Sequence, residues 1–214
     1  MYHYIRDYNY PKDKIGMGLS VSPTTFDQEM GYLASNGYTS ISLDTMYAIF
    51  NHQATAPSKP IVITFDDGYI DFYANAFPIL QKYGLHATSF VITGFVGQPA
   101  YLSWDNIKQM KNSGLITFEA HTVTHAYLPK LSYNSALKEL TDSRNTLQAQ
   151  TGYGVNFIAY PYGASNSSVQ QEAQKAGYVG GLGTWFGYSS SQSMNMPRVR
   201  INGNISLQAF ASKL

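Results

Sequence analysis

The chain has 214 residues, a net charge of +1, 44% hydrophobic and 13% charged residues, and no cysteine. That length is enough for one sizeable domain with its own core. Near-neutral charge leaves no electrostatic footprint for nucleic acid, no apolar run is long enough to span a bilayer, and without thiolates any metal must sit on His and carboxylate.

Read in chain order, the patterning predicts a strand at 2–5, a helix at 25–36, a strand at 39–43 and a helix at 44–51. A strand at 61–65 and a helix at 71–83 follow, then a strand at 87–92, a helix at 104–112 and a strand at 116–119. The remainder predicts a helix at 133–151, a strand at 156–160, a helix at 167–176 and strands at 178–182 and 199–201. Ser22 and Ser132 stand where caps are wanted, and Gly37, Gly84, Gly114, Gly152 and Gly177 follow helix ends. No repeat, low-complexity tract or linker interrupts the pattern, so 1–214 is expected to form one domain. Strand–helix alternation over the whole length predicts parallel strands with covering helices, closed or nearly closed into a barrel, whose chemistry collects at the C-terminal strand ends.

Two stretches fall at such ends. "KPIVITFDDGY" (59–69) sets Asp66 and Asp67 side by side after an apolar run, where each opposes the ionisation of the other. Neighbours in a strand face opposite ways, so the two need not share one task; an Asp-Asp-Gly turn is the plain alternative. "EAHTVTH" (119–125) brings His121 and His125 to one side of a helical turn or tight loop. One carboxylate of the doublet would complete a set of two His and one Asp, leaving an open position for water as a catalytic zinc site requires, with the other carboxylate free as a base. The 18 tyrosines suit stacking against sugars, or the filling of a core.

Taken in order, "TFDDGY", "HTVTH" and "YPYG" (160–163) resemble the motifs of the polysaccharide deacetylases, also called carbohydrate esterase family 4 or the NodB homology domain. The resemblance extends through "FPILQKYGLHATSFVI" and "MPRVRI", and the opening "MYHYI" looks most like the poly-N-acetylglucosamine deacetylase branch. It implies a distorted (β/α) barrel of about seven parallel strands. It further implies metal-dependent deacetylation of an acetylated polysaccharide such as an N-acetylglucosamine polymer, with Asp66 as the base that deprotonates metal-bound water. Asp67, His121 and His125 would hold Zn²⁺, or Co²⁺, Ni²⁺ or Mn²⁺ in its place. The backbone N–H of Tyr162 would meet the oxyanion, and Pro161 and Gly163 would shape its loop. An acetylxylan-type esterase and a non-catalytic carbohydrate-binding barrel are the alternatives.

The sequence departs from the family pattern in three ways. Ala159 stands where many relatives carry an arginine that orients the base; Arg198 or Arg200 could replace it, or either could be a solvated charge. The usual Asp-containing fourth motif is not recognisable near "GTWFGY". No His follows His125, so the C-terminal acid of many relatives is missing. The branch resemblance implies His3 in its place, because His52 lies in a polar stretch and His86 at the wrong end of a strand. Tyr69, Tyr162 and Trp185 are candidate walls for a sugar ring, whereas Trp104 reads as a core residue. Substrate chemistry points to an extracellular or cell-surface location with a leader already trimmed, and to a monomer with no nucleic-acid partner.

Overall fold

A computed structural model describes residues 1–203 and 205–214. In chain order the elements are β1 (Tyr4–Ile5), α1 (Lys14–Leu19), β2 (Ser20–Val21), α2 (Pro23–Ser35), β3 (Thr39–Ser40) and α3 (Leu43–Phe50). Then come β4 (Pro60–Ile61), β5 (Thr64–Phe65), α4 (Phe77–Tyr83), β6 (Ala87–Val91), α5 (Trp104–Asn112) and β7 (Ile116–Ala120). The chain ends with α6 (Tyr133–Thr151), β8 (Phe157–Ala159), α7 (Ser167–Lys175), β9 (Gly180–Leu182) and α8 (Leu207–Ala211).

Local chemistry accounts for the helix boundaries. Asp13, Ser22, Ser42, Ser103, Ser132, Asn166 and Ser206 each cap a helix by accepting a backbone N–H from its first turn. Gly84 and Gly152 end α4 and α6 in the left-handed region, at φ 63° and 76°. The helix expected over 71–83 instead begins as a π-helical turn, Phe72–Ala76. Pro78 explains it: without an N–H it cannot donate to the preceding turn, and the carbonyls there take a wider register.

The main sheet has five parallel strands in the order β5-β6-β7-β8-β9. Ala87, Val91, Phe118 and Ile158 turn outward into the core shared with the helices, and Phe90, Phe157, Ala159 and Leu182 turn inward with Leu43 and Met196. This alternation is the two-residue period of a strand buried on both faces. Two short parallel pairs, β1-β2 and β3-β4, lie outside the sheet.

Of the about seven parallel strands expected, five form the main sheet. The predicted strand 61–65 is shared: Ile61 pairs with β3, and Thr64 pairs with β6. Residues 199–201 are not a strand. Their partner is the single residue Met1, whose nitrogen donates to Val199 O (2.8 Å) and whose carbonyl accepts from Ile201 N (3.1 Å). Just before them Met196 bridges to Leu182, and Pro197 interrupts the ladder because it has no N–H to give. At the other edge Tyr2 bridges to Phe65. These single bridges carry the curl from β9 through the tail and the first residues back to β5.

Candidate active site

The site forms past the C-terminal ends of β5, β7, β8 and β9, on loops whose backbone is bent hard. Six described non-glycine residues have positive φ, and four of them are Asp67 (75°), Thr122 (64°), His125 (59°) and Tyr162 (61°). Such positions cost about 1–3 kcal/mol each and persist only where surrounding contacts dictate them. Gly163 allows the Tyr162 bend: its φ is +70°, and a Cβ there would sit 2.2 Å from Thr184 Oγ1.

Asp67 and the two histidines converge. His121 Nε2 lies 3.2 Å and His125 Nε2 3.5 Å from Asp67 Oδ1. One donor atom from each of the three falls within 4.8 Å of the others. His121 Nδ1 contacts Ala159 O at 2.6 Å, so that nitrogen carries the proton and Nε2 offers its lone pair. Two imidazole nitrogens and one carboxylate oxygen, with no further His or carboxylate donor among the described residues, fit a divalent transition-metal ion with open positions. In the metal-free protein burial works against charge on His121, but a protonated Nε2 would donate to Asp67, and this with the nearby Asp66 outweighs burial and raises its pKa. For His125, burial and the neighbouring His121 lower the pKa.

Asp66 faces the other way and meets Arg198. The guanidinium donates from Nη1 to Oδ1 (2.7 Å) and from Nη2 to Oδ2 (2.8 Å), while its Nε donates to Gly183 O (2.8 Å). Both partners are buried, Asp66 at 2% exposure. Burial alone would raise the Asp66 pKa; the charge and hydrogen bonds of Arg198 prevail and hold it far below the carboxylate range. Arg200 does not reach this carboxylate, and its Nε has no hydrogen-bond partner among the described residues.

His3 is half-buried on the first segment, next to Tyr2, whose N–H donates to Thr64 O (2.8 Å) and whose carbonyl accepts from Asp66 N (3.0 Å). Burial lowers the His3 pKa, although Asp66 and Asp67 pull it upward. Tyr162, 63% exposed, has its ring 4.6 Å from that of His125. The N–H groups after it are committed, Gly163 to Tyr160 O and Ala164 to Pro161 O. Trp185 is 52% exposed; its carbonyl accepts from Arg198 N (3.0 Å), tying its loop to the residue that grips Asp66. Trp104 is half-buried against the core.

Sequence reasoning missed three contributors. Tyr4 stacks on Tyr69 at 3.8 Å and Tyr101 stacks on Tyr69 at 5.2 Å, so Tyr69 is one ring of an aromatic cluster two residues from Asp67. Glu139, on α6, accepts the N–H groups of Val123 and Thr124. No motif marks any of the three. Only the strand register of "MYHYI" hinted that Tyr4 lies near His3.

The profile of the family described as polysaccharide deacetylase matches residues 53–181. A Bacillus subtilis chain, YxkH, whose name places it among polysaccharide deacetylases, is 33% identical over 199 residues, covering 92% of this chain and 71% of that one. The poly-beta-1,6-N-acetyl-D-glucosamine N-deacetylase of Staphylococcus aureus is 31% identical over 183 residues, covering 79% of this chain and 63% of that protein's length. Among solved structures, the Streptococcus pyogenes deacetylase PplD in complex with acetate superposes with a TM-score of 0.92 at 33% identity, covering 99% of this chain and 95% of that one.

Proposed function

The chain belongs to the polysaccharide deacetylase family, and from that premise we propose that it removes N-acetyl groups from an N-acetylglucosamine polymer by hydrolysis. The observation that carries this reading is the pairing of two differently held aspartates: Asp67 within a His–His–carboxylate cluster, and Asp66 gripped at both oxygens by Arg198.

Asp67, His121 and His125 would hold the ion, with zinc the best match to two nitrogens and one oxygen. Arg198 keeps Asp66 ionised and fixes its direction, which makes Asp66 an oriented but weak base. A divalent ion held by Asp67, His121 and His125 would supply what a weak base needs, acidity in the attacking water and polarisation of the acetyl carbonyl. Asp66 takes the proton from that water. The N–H of Tyr162 meets the charge growing on the carbonyl oxygen, commonly the largest single contribution to such catalysis. His3 gives a proton to the leaving amine, which cannot depart as an anion. Tyr69, Pro161, Tyr162 and Trp185 bound the cleft in which the sugar lies. A single catalytic unit spanning 1–214, acting as a monomer outside the cell or at its surface, completes the proposal; no helix among the described residues is long and apolar enough to cross a membrane.

The test is acetate release from poly-β-1,6-N-acetylglucosamine, chitooligosaccharides and acetylxylan, with and without chelator. Chelator-sensitive release from the first two supports the proposal. Release from acetylxylan alone would make the chain an O-acetyl esterase, and no release from any polymer would leave a binding barrel.

A further inference from the structure

The loop that carries His125 is held from two sides. Toward the sheet, Thr93 N donates to Thr122 O (3.1 Å) and Gly94 N to Val123 O (2.9 Å). The approach is so close that a Cβ on Gly94 would lie 2.5 Å from Val123 O. Toward the helices, a single carboxylate holds the loop. Glu139 Oε2 accepts Val123 N–H (2.9 Å) and Thr124 N–H (3.0 Å), and Oε1 accepts the Thr124 hydroxyl (2.8 Å). Within the loop His125 N donates to Thr122 Oγ1 (3.0 Å).

The bend needs such a tie. Thr122 is β-branched and sits at φ 64°, and His125 follows at φ 59°. Left alone, both residues favour negative φ, and relaxation there would swing the imidazole of His125 away from Asp67. Between them, Val123 and Thr124 present two successive N–H groups that the loop itself does not satisfy. Glu139 meets both from the second turn of α6, a 19-residue helix fixed by buried Ala136, Leu140, Ser143 and Leu147. Its carboxylate accepts backbone donors without a guanidinium or ammonium among its hydrogen-bond partners, so its reach is spent on the loop.

We propose that Glu139 is a positioning residue for metal binding: it holds the Thr122–His125 bend so that His125 Nε2 is aimed at the ion before the ion arrives. The inference rests on the reading that Asp67, His121 and His125 hold a metal. It concerns pre-organisation, since the described hydrogen bonds of Glu139 go to Val123 and Thr124 and to none of the three ligand side chains. Outer contacts that orient ligands typically change metal affinity about 10–100-fold.

The experiment is titration of metal-free protein with Zn²⁺ for wild type, Glu139→Ala and Glu139→Gln, with melting of the metal-free proteins in parallel. Glu139→Ala is expected to weaken Zn²⁺ about 10–100-fold while metal-free melting moves by less than about 3 °C, and Glu139→Gln, which keeps one acceptor oxygen, to recover part of the affinity. With Zn²⁺ saturating, kcat of the Ala variant should remain reduced at unchanged KM. Wild type that binds Zn²⁺ no better than Glu139→Ala overturns the positioning role alone. Affinity that falls only in step with melting, in both variants, also overturns it and makes Glu139 a structural tie. Wild type that fails to bind Zn²⁺ overturns this inference and the metal reading together. Should Glu139→Ala not fold, the same criteria apply to Glu139→Gln.

Discussion

Asp66 and Glu119 are both buried carboxylates on this sheet, and the protein treats them in opposite ways. Asp66, past the end of β5, faces a guanidinium at both oxygens and is kept ionised. Glu119, inside β7, has no cation among its described hydrogen-bond partners: its Oε2 accepts the N–H groups of Asn156 (2.9 Å) and Phe157 (2.7 Å), and burial drives its pKa well up. The β7–β8 ladder joins only Ala120 to Ile158, so Glu119 supplies acceptors that a regular pairing would have provided. The difference separates reactivity from repair. Asp66 remains charged because a fixed cation faces it, beside the Asp–His–His cluster.

The largest expected effects break the rim side of this contrast. His125→Ala should lose most bound metal and nearly all activity, whereas Asp66→Asn should keep the metal and lose roughly 10²–10⁴ in kcat. Metal analysis beside acetate release decides it, and equal metal loss in both variants would show that the doublet does not divide its tasks. Next, Arg198→Met leaves Asp66 buried without its cation, which should lower stability by about 3–5 kcal/mol in denaturant unfolding. The double variant Arg198→Met/Asp66→Asn should recover much of that stability but no activity.

The interior side is sharpened by Glu119→Leu, which orphans one buried and one half-buried N–H group and should cost about 2–4 kcal/mol. Glu119→Gln, retaining an acceptor, should be close to wild type in both melting and turnover. If Gln abolishes turnover, Glu119 is not mere repair. Another buried acid extends the comparison. Glu29 accepts a hydrogen bond from Tyr2 OH (2.8 Å), and burial pushes its pKa from 4.5 up to about 7. A raised acid pKa stabilises the fold fully below pH about 4.5, and that contribution is lost as pH climbs to about 7. At ~1.36 kcal/mol per pH unit it amounts to at most about 3 kcal/mol. Stability measured across that window should therefore be flatter in Glu29→Gln; an unchanged slope would place the titration elsewhere. The smallest effect belongs to Trp185→Ala. Its exposed ring should contribute about 1 kcal/mol, roughly fivefold in kcat/KM on oligomers, with melting nearly unmoved; loss of melting without loss of turnover would mark it as packing.

Glu29, Glu119 and Glu139 also show why part of the molecule was not legible beforehand. Each is an ordinary acid in an unremarkable stretch, and its role depends on which backbone or hydroxyl group the fold brings to it. The five-stranded sheet hid its edges for the same reason. Strand 61–65 reads as one apolar run, yet which half joins which sheet depends on the neighbours it meets. The family profile covers 53–181, so His3 and Arg198 both lie outside the stretch it matches.

The sequence by itself determined what is local. Helices Trp104–Asn112 and Tyr133–Thr151 stand where their period and caps put them, and the glycines at 37, 84, 114, 152 and 177 take the positive φ their positions ask for. It also determined the cluster-forming residues, because Asp66–Asp67 and His121–His125 are each set within a few residues of a strand end. Tertiary structure alone decided the partners drawn from far along the chain: Arg198 over Arg200 for Asp66, 132 residues away, and Glu139 for the loop before His125. A capping serine or a helical stripe acts through neighbours whose spacing the backbone fixes. A guanidinium finds its carboxylate only after the curled sheet has brought the tail beside β5, and no periodicity in the chain encodes that meeting.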